Sequence, residues 1–234
     1  MTVPHAISPQ ADLTAENGRW VMWVDGVGTF LLCDGGPVTI GGLSGRADAR
    51  VVANLARTHA VIRRSGEGYL LEASEPALVA ADAARRGSGS GRVVREKTSL
   101  ASGDEIVLYR EHSPGVRFRF RRPNVLTATA TLELESDHRT DPRFDRIVIL
   151  ADSCLMGPGG DAHIRCREWP GVLLIFRRSG RIWCRSTEPA IRLTGSMDGT
   201  RVPLESDALP LEAGMHVTAP GISFRFARFE NKTA

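Results

Sequence analysis

Gly115-Val116-Arg117-Phe118-Arg119-Phe120 returns near the end of the chain as Gly221-Ile222-Ser223-Phe224-Arg225-Phe226. In both stretches apolar and polar residues alternate. A strand places such residues on opposite faces, so each reads as a half-buried β-strand with arginines toward solvent. Two more strings recur in the same order. Arg63-Arg64-Ser65-Gly66 returns as Arg177-Arg178-Ser179-Gly180, and Glu75-Pro76-Ala77-Leu78 returns as Glu188-Pro189-Ala190-Ile191. A period of about 110 residues is too long for a solenoid and reads as a duplicated domain.

The 234 residues suffice for two small domains with a core each. The expected division is a mobile polar arm over 1–17, a first domain over 18–123 and a second over 124–231. Short apolar segments recur every 8 to 12 residues between Gly, Pro, Asp and Ser, from Trp20-Val21-Met22-Trp23-Val24 through Ile106-Val107-Leu108. That spacing predicts an all-β protein of two tandem antiparallel β-sandwiches. Ala77 to Arg86 is alanine-rich and could form a short helix. Gly87-Ser88-Gly89-Ser90-Gly91 reads as a long hairpin tip. Its counterpart Met197-Asp198-Gly199-Thr200 carries the Asp-Gly signal of a tight hairpin. Ala128 to Leu134 can serve as the first strand of the second domain, and the polar stretch 136–144 as an exposed loop.

Hydrophobic residues make up 42% and charged residues 24%, as in ordinary globular proteins. Of 30 basic residues only Lys97 and Lys232 are lysines, which leaves 28 arginines spread over both copies. Arginine forks suit phosphate and carboxylate, although solvated strand faces also carry them. A net charge of +3 and 6% aromatics argue against a nucleic-acid interface. The four cysteines have no CxxC spacing. No apolar run reaches the length of a membrane span, and residues 1–17 hold no signal-peptide core. A soluble, cytoplasmic protein is expected, with no membrane partner.

The first copy, from about Trp20 to Pro123, resembles a forkhead-associated (FHA) domain. The resemblance rests on Thr39-Ile40-Gly41-Gly42, Asp48-Ala49-Arg50-Val51, Leu55-Ala56-Arg57-Thr58-His59-Ala60 and Leu100-Ala101-Ser102-Gly103-Asp104-Glu105-Ile106 in order. It implies an eleven-stranded sandwich that binds phosphothreonine peptides through loops at one end. It also implies that His59 braces those loops rather than acting as an acid or base. Two of the family's phosphate contacts are replaced. Its arginine after Ile-Gly is Gly42 here, and the serine of its Ser-Arg-x-His string is Ala56. Such losses cost several kcal/mol of phosphate binding. The candidate contacts that remain are Arg46, Arg50, Arg57, Thr58 and Ser74. The copy is then either a damaged phosphopeptide site or one rebuilt with other arginines.

The second copy departs further. Leu155-Met156-Gly157-Pro158 matches the Ile-Gly stretch, and Asp161-Ala162-His163-Ile164 lines up with Asp48 to Val51. Counting back from the shared Arg-Arg-Ser-Gly, Trp169 to Leu173 replaces Leu55 to His59. Trp169 and Trp183 read as core residues. Asp161, His163 and Cys166 offer three types of metal ligand, but 161 and 163 share a strand face that 166 does not. Gly42-Leu43-Ser44-Gly45 lacks the spacing of a nucleophile elbow, and Gly87 to Gly91 lacks the Lys-Ser/Thr of a P-loop. No catalytic residue, metal site or cofactor is expected. The partner is a protein or a phosphothreonine peptide. Two readings stay open: a non-catalytic protein–protein interaction module, or a structural scaffold whose two sandwiches pack together or oligomerise.

Overall fold

A computed structural model of the chain describes residues 18–81, 92–94, 96–110 and 113–230. The described residues form strands and connections, with no helix among them, and so none long and apolar enough to cross a membrane. Among the described residues eleven strands precede Pro123: β1 (Gly18–Val24), β2 (Gly28–Asp34), β3 (Val38–Gly42), β4 (Ala49–Val51), β5 (Ala60–Ser65), β6 (Gly68–Ala73), β7 (Ala77–Ala80), β8 (Arg92–Val93), β9 (Lys97–Leu100), β10 (Glu105–Leu108) and β11 (Val116–Arg121). Eleven follow it: β12 (Ala130–Leu134), β13 (Arg146–Leu150), β14 (Ser153–Gly157), β15 (Ile164–Arg165), β16 (Leu173–Arg178), β17 (Arg181–Ser186), β18 (Thr194–Met197), β19 (Thr200–Val202), β20 (Leu209–Pro210), β21 (Met215–Ala219) and β22 (Ile222–Arg228).

The alternation at Val116 to Phe120 is realised on β11. Val116, Phe118 and Phe120 are buried, Arg117 is exposed and Arg119 is half-buried. On β22, Phe224 and Phe226 are buried around the exposed Arg225. Asp198 and Gly199 both adopt positive φ, at 50° and 80°, and close the β18–β19 hairpin, as Asp-Gly requires of a primed turn. Ala77–Ala80, where a helix could have begun, is strand β7, paired with β10 in the register Ile106 to Val79. Alternate burial of Ala77 and Val79 outweighs alanine's helix propensity. Residues 82–86 and the Gly/Ser tip lie outside the described residues.

The strands form three sheets. One has twelve strands in the order β19-β18-β21-β22-β1-β2-β13-β12-β11-β10-β7-β8; the others are β4-β3-β5-β6-β9 and β15-β14-β16-β17-β20. Adding eleven to each strand number of the first half reproduces the second. The long sheet is shared, however. The opening hairpin β1–β2 lies against the last strand β22, with Met22 opposite Phe226. The hairpin β12–β13 lies against β11, with Phe120 opposite Leu132. The segments 18–123 and 124–231 therefore do not close as separate sandwiches; each half is completed by a hairpin of the other segment. β2 and β13 meet in parallel at the centre, with Leu31 opposite Ile147. The pairs β3–β4 and β14–β15 are parallel too, so the sheets are mixed rather than wholly antiparallel.

Each small sheet packs on a different face of the long one. Leu31, Cys33, Ile147 and Ile149 join one core with Phe118, Phe120 and Tyr69. Their neighbours Leu32, Val148 and Leu150 join the other with Ile175, Phe224 and Phe226. Strands buried on both faces read as unbroken apolar runs, which is why Ile147-Val148-Ile149-Leu150 does not alternate. Trp169 and Trp183 are buried, and all four cysteines are buried free thiols.

Candidate functional site

The loops at one end of the first half hold most of the predicted contact residues. Arg57 and Thr58 are exposed on the connection from β4 to β5, and Ser74 is exposed after β6. The Ser74 hydroxyl donates to the Thr58 carbonyl at 2.6 Å, and its backbone N–H donates to the His59 carbonyl at 3.0 Å. His59 is fully buried, with Nε2 3.1 Å from the Pro76 carbonyl and its own N–H on the Ile40 carbonyl at 2.8 Å. Burial depresses its pKa, so the ring is neutral and Nε2 carries the proton toward Pro76. Thr58, His59 and Ser74 border a hollow of about 470 Å³ together with Glu72, Glu96 and Lys97.

The other two candidates stand elsewhere. Arg46 is exposed on the connection from β3 to β4. Arg50, on β4, is turned to the loop after β12: its Nε donates to the Asp141 carbonyl at 3.1 Å and Nη2 lies 3.4 Å from the Asp141 carboxylate. That loop, read from sequence as exposed, is partly packed. Thr140 and Phe144 are buried, and Thr140 forms a bridge with Val51.

Gly42, where the resemblance implies an arginine, has no room for a side chain. Its N–H donates to the Ala56 carbonyl at 2.8 Å, and a Cβ there would lie 2.6 Å from the Leu55 carbonyl oxygen. The connection 53–57 thus covers the place from which that arginine would reach.

Strand pairing revises the alignment of the second copy. Met156 pairs with Ile164 and Gly157 with Arg165, as Ile40 pairs with Ala49 and Gly41 with Arg50. His163, not Asp161, therefore stands where Asp48 does. The two do the same work. Asp48 accepts the Thr39 N–H at 2.8 Å, and His163 Nδ1 accepts the Leu155 N–H at 3.0 Å. Asp48 also holds the Arg19 guanidinium at 2.6 Å. By the pairings of β16, Val172 rather than Leu173 stands in the place of His59.

Burial pushes the His163 pKa down to about 4, against only weak support from the Thr129 carbonyl and Asp161. Protonating Nδ1 would also break the Leu155 bond. The unfolded chain takes up this proton near pH 6.5 and the folded chain only near pH 4, so stability is present above 6.5 and is lost as pH falls between these values. The expected loss is about 3 kcal/mol. Urea titrations at pH 7 and pH 4.5 check this: His163→Asn should flatten the pH dependence, and an unchanged slope would show that the titrating group lies elsewhere.

One arrangement escaped the sequence reading because its members are remote. Ser223 donates to Asp25 at 2.5 Å, and His216 Nε2 lies 3.0 Å from the same hydroxyl. These are the residue types of a hydrolase triad in the wrong order. The serine proton is committed to the carboxylate, so the imidazole donates to the serine instead of withdrawing its proton. Among the described residues no cluster of three or more His, Cys, Asp or Glu could hold a metal ion. His163 Nδ1 is already engaged, and Asp161 accepts the Asn124 amide at 3.0 Å.

The chain matches no family model, no curated protein and no solved structure. Its functional reading rests on this geometry.

Proposed function

We propose that this protein is a non-catalytic protein–protein interaction module, similar in design to a phosphothreonine-peptide reader but lacking the phosphate contact at Gly42. The observation that carries this is the braced tip. Arg57 and Thr58 project into solvent from a connection tied down by the Gly42–Ala56, Ser74–Thr58 and His59–Pro76 hydrogen bonds. A tip ordered before binding loses little conformational entropy on contact with a peptide. The eleven strands described in the first half, the number the FHA resemblance implies for that copy, support the same reading. Arg57 supplies the charge and Thr58 and Ser74 the hydroxyls at this surface; the partner is a protein segment, read without a required phosphothreonine.

Degenerate peptide libraries, unphosphorylated, phosphoserine and phosphothreonine, test this on the purified chain. Binding without phosphothreonine preference is expected, weakened about tenfold in Arg57→Ala. A strong phosphothreonine preference that disappears in Arg57→Ala would instead reveal a rebuilt phosphate site. The exchanged hairpins favour a second reading, a scaffold in which the two halves serve as one rigid body. Absence of binding to every library would leave that reading standing alone.

A further inference from the structure

In the first half the outer edge of β4 is covered by the chain itself. The Val52 N–H donates to the Arg139 carbonyl at 2.8 Å, the Asp141 N–H donates to the Arg50 carbonyl at 2.8 Å, and Val51 and Thr140 form an antiparallel bridge. Residues 139–141 thus act as an added strand, and Asp141 supplies the carboxylate that meets Arg50. They belong to the eleven-residue connection between β12 and β13.

In the second half β15 takes the place of β4, so Arg165 stands for Arg50 and Arg167 for Val52. The connection equivalent to 135–145 is only Asp25-Gly26-Val27, three residues that cannot reach across the edge. Cys166 N–H is spent inward on the Gly157 carbonyl at 2.9 Å, which turns the Arg165 carbonyl and Arg167 N–H outward. Neither these backbone groups nor the two exposed guanidinium groups have a partner among the described residues. An uncovered strand edge is a ready template for another chain.

The charge around this edge selects the occupant. Arg165 and Arg167 border a hollow on each side, of about 660 and 670 Å³. The second also contains Arg121, Arg122 and Arg146. Its one acid, Glu133, is bonded to Arg146 at 3.0 Å, and Nε of both Arg122 and Arg146 is buried without a hydrogen-bond partner among the described residues. On the other side Asp25 is engaged by Ser223, and Glu168 is the remaining acid. Cations outnumber acids here, so a carboxylate arriving from outside gains and an added cation loses.

We propose that the edge of β15 is a docking site for an extended, acidic segment of a partner protein. The segment pairs antiparallel with Arg165 to Arg167 as residues 139–141 pair with β4. Its backbone takes the Arg167 N–H and donates to the Arg165 carbonyl, and its carboxylates meet Arg165 and the arginines beside it. This is strand addition, with main-chain bonds giving affinity and charge giving selectivity. The site is separate from the Arg57 tip and does not depend on it.

The experiment combines amide exchange and fluorescence anisotropy on the whole chain. The probes are short peptides with a fixed Thr-Asp pair and acidic neighbours, and matched peptides with lysine in place of the acids. In the free protein the Arg167 amide should exchange much faster than that of Val52, and the acidic peptides should slow it about tenfold or more. Arg165→Glu should weaken the acidic peptides about tenfold and favour the lysine set. Arg165 is exposed, so this variant keeps the fold; an unchanged melting curve would confirm it. Three results would overturn the proposal: an Arg167 amide already as protected as that of Val52, no acidic peptide binding, or binding indifferent to Arg165→Glu. Competition by pyrophosphate alone as effective as the peptide would also overturn it, since a small-anion site needs no strand.

Discussion

Gly42→Arg, which installs the residue the FHA resemblance implies, is expected to destabilise the protein and to create no phosphate reader. The new Cβ would meet the Leu55 carbonyl oxygen at 2.6 Å, a backbone atom that cannot rotate away. Relief requires the 53–57 connection to lift, which breaks the Gly42–Ala56 hydrogen bond and disturbs the tip that carries Arg57 and Thr58. Overpacking combined with a lost buried hydrogen bond costs about 3 kcal/mol. For a chain of this size that lowers the thermal midpoint by about 6–12 °C. Differential scanning calorimetry reads the shift, and the phosphothreonine library reads the function. An unchanged midpoint together with new phosphothreonine selectivity would mean that the connection is a movable cover over a latent phosphate site. The glycine is then not a lost arginine alone. It is one side of a close backbone approach whose other side is the 53–57 connection.

Strand identity was legible wherever a strand buries one face. Val116 to Phe120 announces β11, and Asp198-Gly199 announces its hairpin, because period-two patterning and turn chemistry are local. Register in the second half was not legible from matching letters. Arg63-Arg64-Ser65 lies on β5 with the turn at Gly66-Glu67, while Arg177-Arg178 lies on β16 and Ser179-Gly180 is itself the turn. Ser179 and Gly180 both take positive φ, at 50° and 73°, as a primed two-residue hairpin needs. The same string therefore sits one residue apart in the two halves, and that slip set Leu173 instead of Val172 against His59; His163 was missed because the matching letter Asp161, two residues away, was set against Asp48. The hairpin exchange is hidden for another reason. Patterning tells which face of β1 is buried, not whose core buries it. The unbroken run Ile147 to Leu150 did carry the sign of a strand covered on both sides. The arginines around β15 had no local signature, since Arg121, Arg146 and Arg165 come from three segments joined only by the fold.

The exchange makes the largest expected effect a matter of where the chain is cut. Residues 35–150 contain β3 to β13 without a break, and thus one complete half: the sheet β4-β3-β5-β6-β9 and the strands β13-β12-β11-β10-β7-β8. This fragment should fold alone; of the buried residues of the first core it gives up only Val21, Leu31 and Cys33, and it exposes Val148 and Leu150 from the second. Residues 124–230 should not fold. They lack β1 and β2, whose Met22, Val24, Phe30 and Leu32 fill the second core, and Trp20, which stacks on Phe226 at a ring distance of 4.8 Å. At about 1.5–3 kcal/mol for each large apolar side chain, the missing five contribute roughly 10 kcal/mol, the whole stability of a typical domain. Residues 18–123 hold an intermediate place. The β1–β2 hairpin could fold back onto β11 in place of β12–β13, but the same five side chains would then face water, and aggregation is the expected outcome. Circular dichroism melts and amide dispersion of the three fragments separate the cases. If 18–123 proves a cooperative monomer while 35–150 does not fold, the hairpins are not exchanged in solution, and the first domain closes on itself. If 35–150 alone is cooperative, the folding unit is offset from the sequence repeat by one hairpin. The chain then gains its rigidity from the parallel β2–β13 seam, which no cut can release without exposing one of the two cores.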